Sequence, residues 1–254
     1  MKIRILGTGY GECKIKKKNT KDFRRRGGVI IDGKILIDAP HDIFDVADEL
    51  GFADMFDSIT DVVISHSHQG HFSRDALERL AKNKKITLYA SPRVLEAAPD
   101  SENIEKVELT PLLPIDIGEH RLIPTAANHE TSIDGEICLN FIVAKDKTLF
   151  YALDSGFINY GAWQLLKKIK LDAVIMDCAL ELSPTTEASM HHNNLSALKT
   201  VREIFTGSKI LSPQGRFILS HIPTDKKRSI HDELSEAARE GGMTVAYDGY
   251  FFTV

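Results

Sequence analysis

Short apolar runs alternate with segments of helical periodicity along the whole chain. Residues 3–6 read as a strand running into Gly7-Thr8-Gly9, and 29–31 and 35–37 flank Asp32-Gly33, a two-residue hairpin signal. Residues 61–65, built on the apolar run Val62-Val63-Ile64, read as a buried strand. Further strands are predicted at 86–90, 137–143, 148–153, 173–176, 217–220 and 245–247, with Lys145-Asp146-Lys147 as a polar turn. Ser73 caps a predicted helix reaching Lys82, with Leu77, Leu80 and Ala81 on one face. Other helices are predicted at 163–169, 194–205 and 229–240, the last stopped by Gly241-Gly242. The alternation predicts an α/β fold. Residues 35–38 and 149–154 are both strands that end in an aspartate, a faint sign of a duplicated half-sheet.

Length and composition favour one domain over 1–254, because 254 residues with 43% hydrophobic content can bury a single large core. A net charge of -4 gives no general reason to bind nucleic acid. Residues 14–26 are strongly basic, and read as a solvated loop with no aromatic stacking platform nearby. Cys13, Cys138 and Cys178 are far apart and form no C-x-x-C pair, which predicts reduced structural thiols in a cytoplasmic protein. No apolar stretch approaches the roughly 20 residues of a membrane span, and Met1-Lys2-Ile3-Arg4 lacks a signal-peptide core.

The candidate chemistry lies in the histidines. His66, His68 and His71 stand in six residues directly after the 61–65 strand, and imidazole is the commonest side-chain ligand for transition metals. His129, Asp154 and His221 each follow another apolar or small-residue run, and strand ends on one sheet edge gather in one crevice. His191 and His192 form a doublet in a polar loop, either exposed or leaning over the site. His41, His120 and His231 lack this context and read as surface or structural residues.

His66-Ser67-His68-Gln69-Gly70-His71, Asn128-His129, Leu153-Asp154-Ser155-Gly156 and Leu219-Ser220-His221-Ile222 resemble, in order and context, the motif series of the metallo-β-lactamase superfamily. Gly7-Thr8-Gly9, Arg24-Arg25-Arg26, Leu36-Ile37-Asp38-Ala39-Pro40, Met176-Asp177-Cys178 and His192 are similar to its phosphodiesterase branch. That branch includes the carbon-phosphorus lyase pathway phosphodiesterase and, more remotely, the tRNA 3′-processing endonuclease. The resemblance implies a four-layer αββα sandwich with a two-metal site. His66, His68 and His129 would hold the first metal, His71 and His221 the second, and Asp154 would bridge them. His192 would act as general acid or phosphate contact, and Asp38 would orient a ligand histidine. Zinc is the expected metal, with manganese or iron as alternatives.

The chain departs from that pattern in three places. Gly70 replaces an aspartate ligand of the second metal, which predicts a weakened second site; Glu130 or Asp42 is a candidate substitute. The cysteine-rich zinc loop of some phosphodiesterases is missing, and Pro223-Thr224 replaces a late histidine. The activity expected is hydrolysis of a small or cyclic phosphate ester by a metal-bound hydroxide. Alternatives are a lactone, thioester or β-lactam hydrolase of the same fold, or a weakly active single-metal binding protein. The expected partner is the small-molecule substrate, with no nucleic acid or membrane and with homodimer formation left open. A di-iron oxygen-reducing centre is disfavoured because the first motif lacks a glutamate.

Overall fold

The computed structural model describes residues 1–11, 13, 20–224 and 230–254. Lys14, Lys16, Lys17 and Lys18 of the basic segment, and Ser229 at the predicted start of the last helix, lie outside the described residues.

The first half of the chain forms β1 (Lys2–Ile5), β2 (Gly9–Tyr10), β3 (Val29–Ile31), β4 (Ile35–Ile37), α1 (Ile43–Leu50), β5 (Asp61–Val63), α2 (Arg74–Ala81), β6 (Ile86–Ala90), α3 (Pro92–Ala97) and β7 (Ile104–Glu108). The second half forms β8 (Ile115–Ile117), β9 (His120–Ala126), β10 (Leu139–Ala144), β11 (Thr148–Ala152), α4 (Tyr160–Leu166), β12 (Leu171–Asp177), α5 (Leu195–Gly207), β13 (Leu211–Ser220), β14 (Ile222–Pro223), α6 (His231–Glu240), β15 (Thr244–Val245) and β16 (Phe251–Thr253). Two seven-stranded sheets result, in the orders β16-β1-β3-β4-β5-β6-β7 and β15-β13-β12-β11-β10-β9-β8, with β14 pairing β2 separately.

Three apolar cores define four layers. Ile3, Ile31, Ile37 and Val63 of the first sheet pack against Phe141, Leu149, Tyr151 and Ile175 of the second. The outer face of the first sheet buries Leu36, Val62 and Leu88 against Val46, Leu77 and Val94 of α1, α2 and α3. The outer face of the second buries Phe150, Val174 and Phe217 against Leu166, Leu198 and Leu234 of α4, α5 and α6. This is the αββα sandwich, and both sheets are covered on both faces. That explains why β3, β4 and β12 read as continuous apolar runs rather than alternating ones. No helix among the described residues is long and apolar enough to cross a membrane.

The duplication hinted at by the two aspartate-terminated strands is a property of the pairing. In each sheet three antiparallel pairings are followed by three parallel ones, and the change falls between β4 and β5 in one and β11 and β12 in the other. Asp38 and Asp154 leave the carboxyl ends of β4 and β11 in the left-handed region, with φ of 63° and 49°. Aspartate tolerates that region better than most residues. Gly28 lets the Asp38 backbone close in, since a Cβ there would lie 2.1 Å from the Asp38 carbonyl oxygen.

Several elements differ from the periodicity reading, for local reasons. β13 begins at Leu211 because a register shift opposite Leu171 to Ala173 absorbs the turn-like Ser212-Pro213-Gln214-Gly215. β7 is an edge strand with three charged residues in five, so it carries no apolar run to find. α3 is too short to show a helical period. α4 starts at Tyr160, earlier than the apolar stretch, because Asn159 caps it by accepting from Ala162 N. The strand predicted at 245–247 is Thr244–Val245.

Candidate metal centre

The loop after β5 turns sharply. His68 O accepts from both His71 N (2.8 Å) and Phe72 N (2.9 Å), and Ser73 then caps α2 by accepting from Ala76 N. That turn folds three imidazoles inward. His66 and His71 are 0% and 2% exposed. The Nδ1 of His66 meets Ser65 Oγ at 2.9 Å, which in the tautomer donating to the hydroxyl leaves Nε2 as a bare lone pair.

Four other elements converge on the same point. His129, after β9, donates from Nδ1 to the His191 carbonyl (3.2 Å), which leaves Nε2 an acceptor 3.3 Å from His68 Nδ1. Asp154, after β11, lies 3.4 Å from His66 Nε2, 2.5 Å from His71 Nε2, 2.8 Å from His221 Nε2 and 3.3 Å from His192 Nδ1. His221 follows β13 with φ of 57°, a strained value for a histidine. Ligand atoms lie within 4.8 Å of one another in three overlapping groups: His66, His68 and His129; His66, His71 and Asp154; and His129, Asp154 and His192. His66, His68, His71, His129, Asp154, His192 and His221 are therefore brought together at one edge of the sandwich.

A second ring of partners fixes these side chains. Asp38 is fully buried, accepts from Ser65 N (2.8 Å) and Tyr151 Oη (2.7 Å), and pairs with His71 Nδ1 (2.8 Å). Tyr151 reaches it from the opposite sheet. Asp177, at the end of β12, accepts from His192 Nδ1 (3.1 Å), Asn193 N (3.1 Å) and Asn193 Nδ2 (2.7 Å). Such partners set which nitrogen of each histidine faces inward. Asp177 and Tyr151 are roles the sequence reading did not assign. Asp177 carried the same signal as Asp38 and Asp154, a strand ending in aspartate; for Tyr151 no local signal exists.

The electrostatics separate the histidines into two kinds. Burial pushes His66 well below the usual imidazole range and His129 down to about 4; His68 is also lowered, chiefly by burial. These three are neutral donors at pH 7. Burial also opposes protonation of His71, but Asp154 and Asp38 outweigh it and raise that imidazole to about 10. Asp154 would be raised by burial, yet His221 and His71 hold it well below the usual carboxylate range. Burial lowers His192 while Asp177 more than restores it, leaving its imidazole raised.

The buried Nε2 atoms of His66, His71 and His221 and Oδ1 of Asp154 form no hydrogen bond with proper geometry. Buried polar atoms are almost always satisfied, so four unsatisfied ones aimed at one volume fit a cation among them. Neutral imidazoles with one carboxylate suit a borderline divalent metal such as zinc, and a cation there would displace the His71 proton.

Without metal, these shifts predict a pH response. His66, His68, His129 and His231 have lowered values, His231 to about 4. Each binds its proton in the unfolded chain near pH 6.5 but later in the folded one, so stability falls as pH drops from about 6.5 toward 4. His71 acts oppositely: its contribution is complete below about 6.5 and fades as pH rises toward 10. Asp248, raised to about 6 mainly by burial, contributes at low pH and offsets only part of the loss. Thermal denaturation of chelator-treated protein is expected to show Tm lower at pH 5 than at pH 7 by on the order of 5 °C. A flat profile would contradict the neutral imidazole cluster.

Around the centre, other sequence expectations resolve differently. Asp42 is not turned to the metal ligands but holds Arg26 through Oδ2 (3.1 Å) and Oδ1 (2.7 Å). Glu130 is exposed, and no ligand group includes it. His41 is exposed, whereas His120 and His231 are buried against Asp32 and Arg24. The expectation of no aromatic platform needs correction. Tyr10 is 43% exposed, with its ring 5.0 Å from that of His192 and 5.1 Å from that of His221.

A sequence profile described as Beta-lactamase superfamily domain matches residues 34–222, which carry all six candidate metal ligands. The chain belongs to the beta-lactamase superfamily. Solved structures of that fold superpose over nearly the full length. YhfI from Bacillus subtilis, a metallo-beta-lactamase fold protein, is 16% identical with a TM-score of 0.75, covering 99% of this chain and 98% of that one. Unliganded yeast PDE1 is 14% identical with a TM-score of 0.67, covering 100% and 99%. Human tRNase Z, short form, is 16% identical with a TM-score of 0.65, covering 100% and 99%. No curated protein sequence matches the chain significantly. As a member of this superfamily with a convergent His and Asp cluster, the chain is a metal-dependent hydrolase.

Proposed function

We propose that the chain hydrolyses a phosphodiester, in a small or cyclic phosphate ester, with zinc as the metal. The observation that carries this reading is the charge of the ligand set: five histidines converge with Asp154 as the one carboxylate among them. A divalent cation there keeps a net positive charge, which suits an anionic substrate and its developing negative charge. His66, His68 and His129 would hold the first cation, and His71, His221 and Asp154 would face the second position. A bound divalent metal supplies Lewis-acid polarisation of the phosphoryl group and lowers the pKa of water.

The protein's own groups do the rest. Asp38 and Ser65 orient His71 and His66 so that Nε2 of each points into the site. Asp177 holds His192 at Nδ1 and favours its protonated form, so His192 is the group placed to give a proton to the leaving oxygen or to bind a phosphate oxygen. The cavity lined by His68, His71, Asp154 and His221, about 730 Å³, is roomy enough for a small ester. Yeast PDE1 and human tRNase Z share the fold, in keeping with this reading.

Protein loaded with zinc or manganese is expected to turn over bis-nitrophenyl phosphate or a 2′,3′-cyclic nucleotide. His192→Gln is expected to lower kcat by about 10²-fold, the usual worth of a positioned acid. Turnover of lactones or thioesters, with none of either phosphate ester, would overturn the phosphodiester assignment.

A further inference from the structure

Gly70 leaves room on the ligand loop, and one side chain borders that room. A Cβ built on Gly70 would meet no heavy atom closer than Arg26 Cδ, at 3.9 Å, and its backbone is not in the left-handed region. Neither the space at Cβ nor a left-handed backbone demands glycine here.

Arg26 is gripped by Asp42 along one edge of its guanidinium, from Nε (3.1 Å) and Nη2 (2.7 Å). Its Nη1 makes no hydrogen bond to a described residue. Asp42 stands at the N-cap position of α1, which anchors the arginine to the first sheet's helical layer. Arg26 and Asp42 line the same cavity as Gly70, His71, Asp154 and His221.

A guanidinium is always charged, weakly hydrated and forked, so an edge left open by one carboxylate is built to take a second oxyanion. The same charge beside a missing carboxylate ligand disfavours a second divalent cation. We propose that Gly70 and Arg26 together form an oxyanion subsite, in which Arg26 Nη1 takes a non-bridging phosphate oxygen of the substrate. It occupies the region where an aspartate at 70 would otherwise help hold a second metal. The subsite deepens the phosphodiester reading and rests on it, but phosphate binding at Arg26 is tested without bound metal and without turnover.

The experiment uses the full chain. Inorganic phosphate is titrated calorimetrically into metal-depleted wild type, Arg26→Gln, Arg26→Lys and Gly70→Asp, and zinc per chain is counted on the same four proteins after zinc loading and dialysis. Phosphate is expected to bind wild type, and at least tenfold more weakly Arg26→Gln and Gly70→Asp, in which the new carboxylate neutralises the guanidinium. Arg26→Lys, which keeps the charge but not the fork, is expected to fall between. Zinc is expected to rise from one per chain in wild type to two in Gly70→Asp. Equal phosphate binding by wild type and a folded Arg26→Gln, no binding by wild type, or two zinc ions retained by wild type would each overturn the proposal. If wild type binds phosphate through Arg26 yet cleaves no phosphate ester, the phosphodiester reading fails and the subsite stands.

Discussion

Asp154→Ala is expected to remove bound metal and to lower hydrolysis by at least about 10³-fold. Asp154 is the carboxylate that His66, His71, His192 and His221 all face, at 2.5 to 3.4 Å, and it is 2% exposed. Without it the cluster holds only imidazoles, and His71 keeps a single carboxylate partner, Asp38. A cation held there would then have no anionic ligand. Asp154→Asn keeps the shape and removes the charge, and aspartate's left-handed φ of 49° suits asparagine too. The asparagine variant is therefore expected to fold as wild type while losing metal, which separates charge from packing. The check is elemental analysis after dialysis beside kcat/KM; a variant that keeps its metal and more than a tenth of its activity would refute the role.

Asp38→Ala has the second largest expected effect, and it appears in stability first. Removing this fully buried carboxylate strands Ser65 N, Tyr151 Oη and His71 Nδ1 without an acceptor. It also places alanine at φ of 63°. Breaking a buried charged network costs about 3 to 5 kcal/mol, on the order of 10 °C in Tm for a chain of this size. Metal affinity is expected to fall about 10- to 100-fold, the usual effect of removing a partner behind a ligand histidine. Tyr151→Phe deletes one donor together with its bond and is expected to be much milder. Equal losses in the two variants would show that Asp38 acts through its Tyr151 bond alone.

Most of the site was legible because its residues follow strands that are themselves legible. The apolar run before His66, the strand before Asp154 and the strand before His221 are recognisable without a partner, and in a parallel arrangement their carboxyl ends share an edge. Asp177 obeyed the same rule and was recorded only as part of a motif, because nothing local tells a structural aspartate from a positioning one. Asp42 shows the converse. As a carboxylate it was a candidate substitute for the missing ligand, but Arg26 holds it in a bidentate pair. Tyr10 lies on a two-residue strand whose only sheet partner among the described residues is β14, more than 200 positions away, so no local pattern predicts that it reaches His192 and His221.

By itself the sequence determined the α/β alternation, the order of the ligand motifs, the aspartates that close β4 and β11, and the missing carboxylate at position 70. Each is a local matter: side-chain periodicity, strand endings and residue identity act over a few positions. Only the tertiary structure decided which way each imidazole faces, that Tyr151 reaches across the sandwich to Asp38, and that Arg26 borders the space beside Gly70. Those contacts join positions 27 to 113 residues apart or cross between sheets, and they form only when burial of both sheet faces fixes the layers in register.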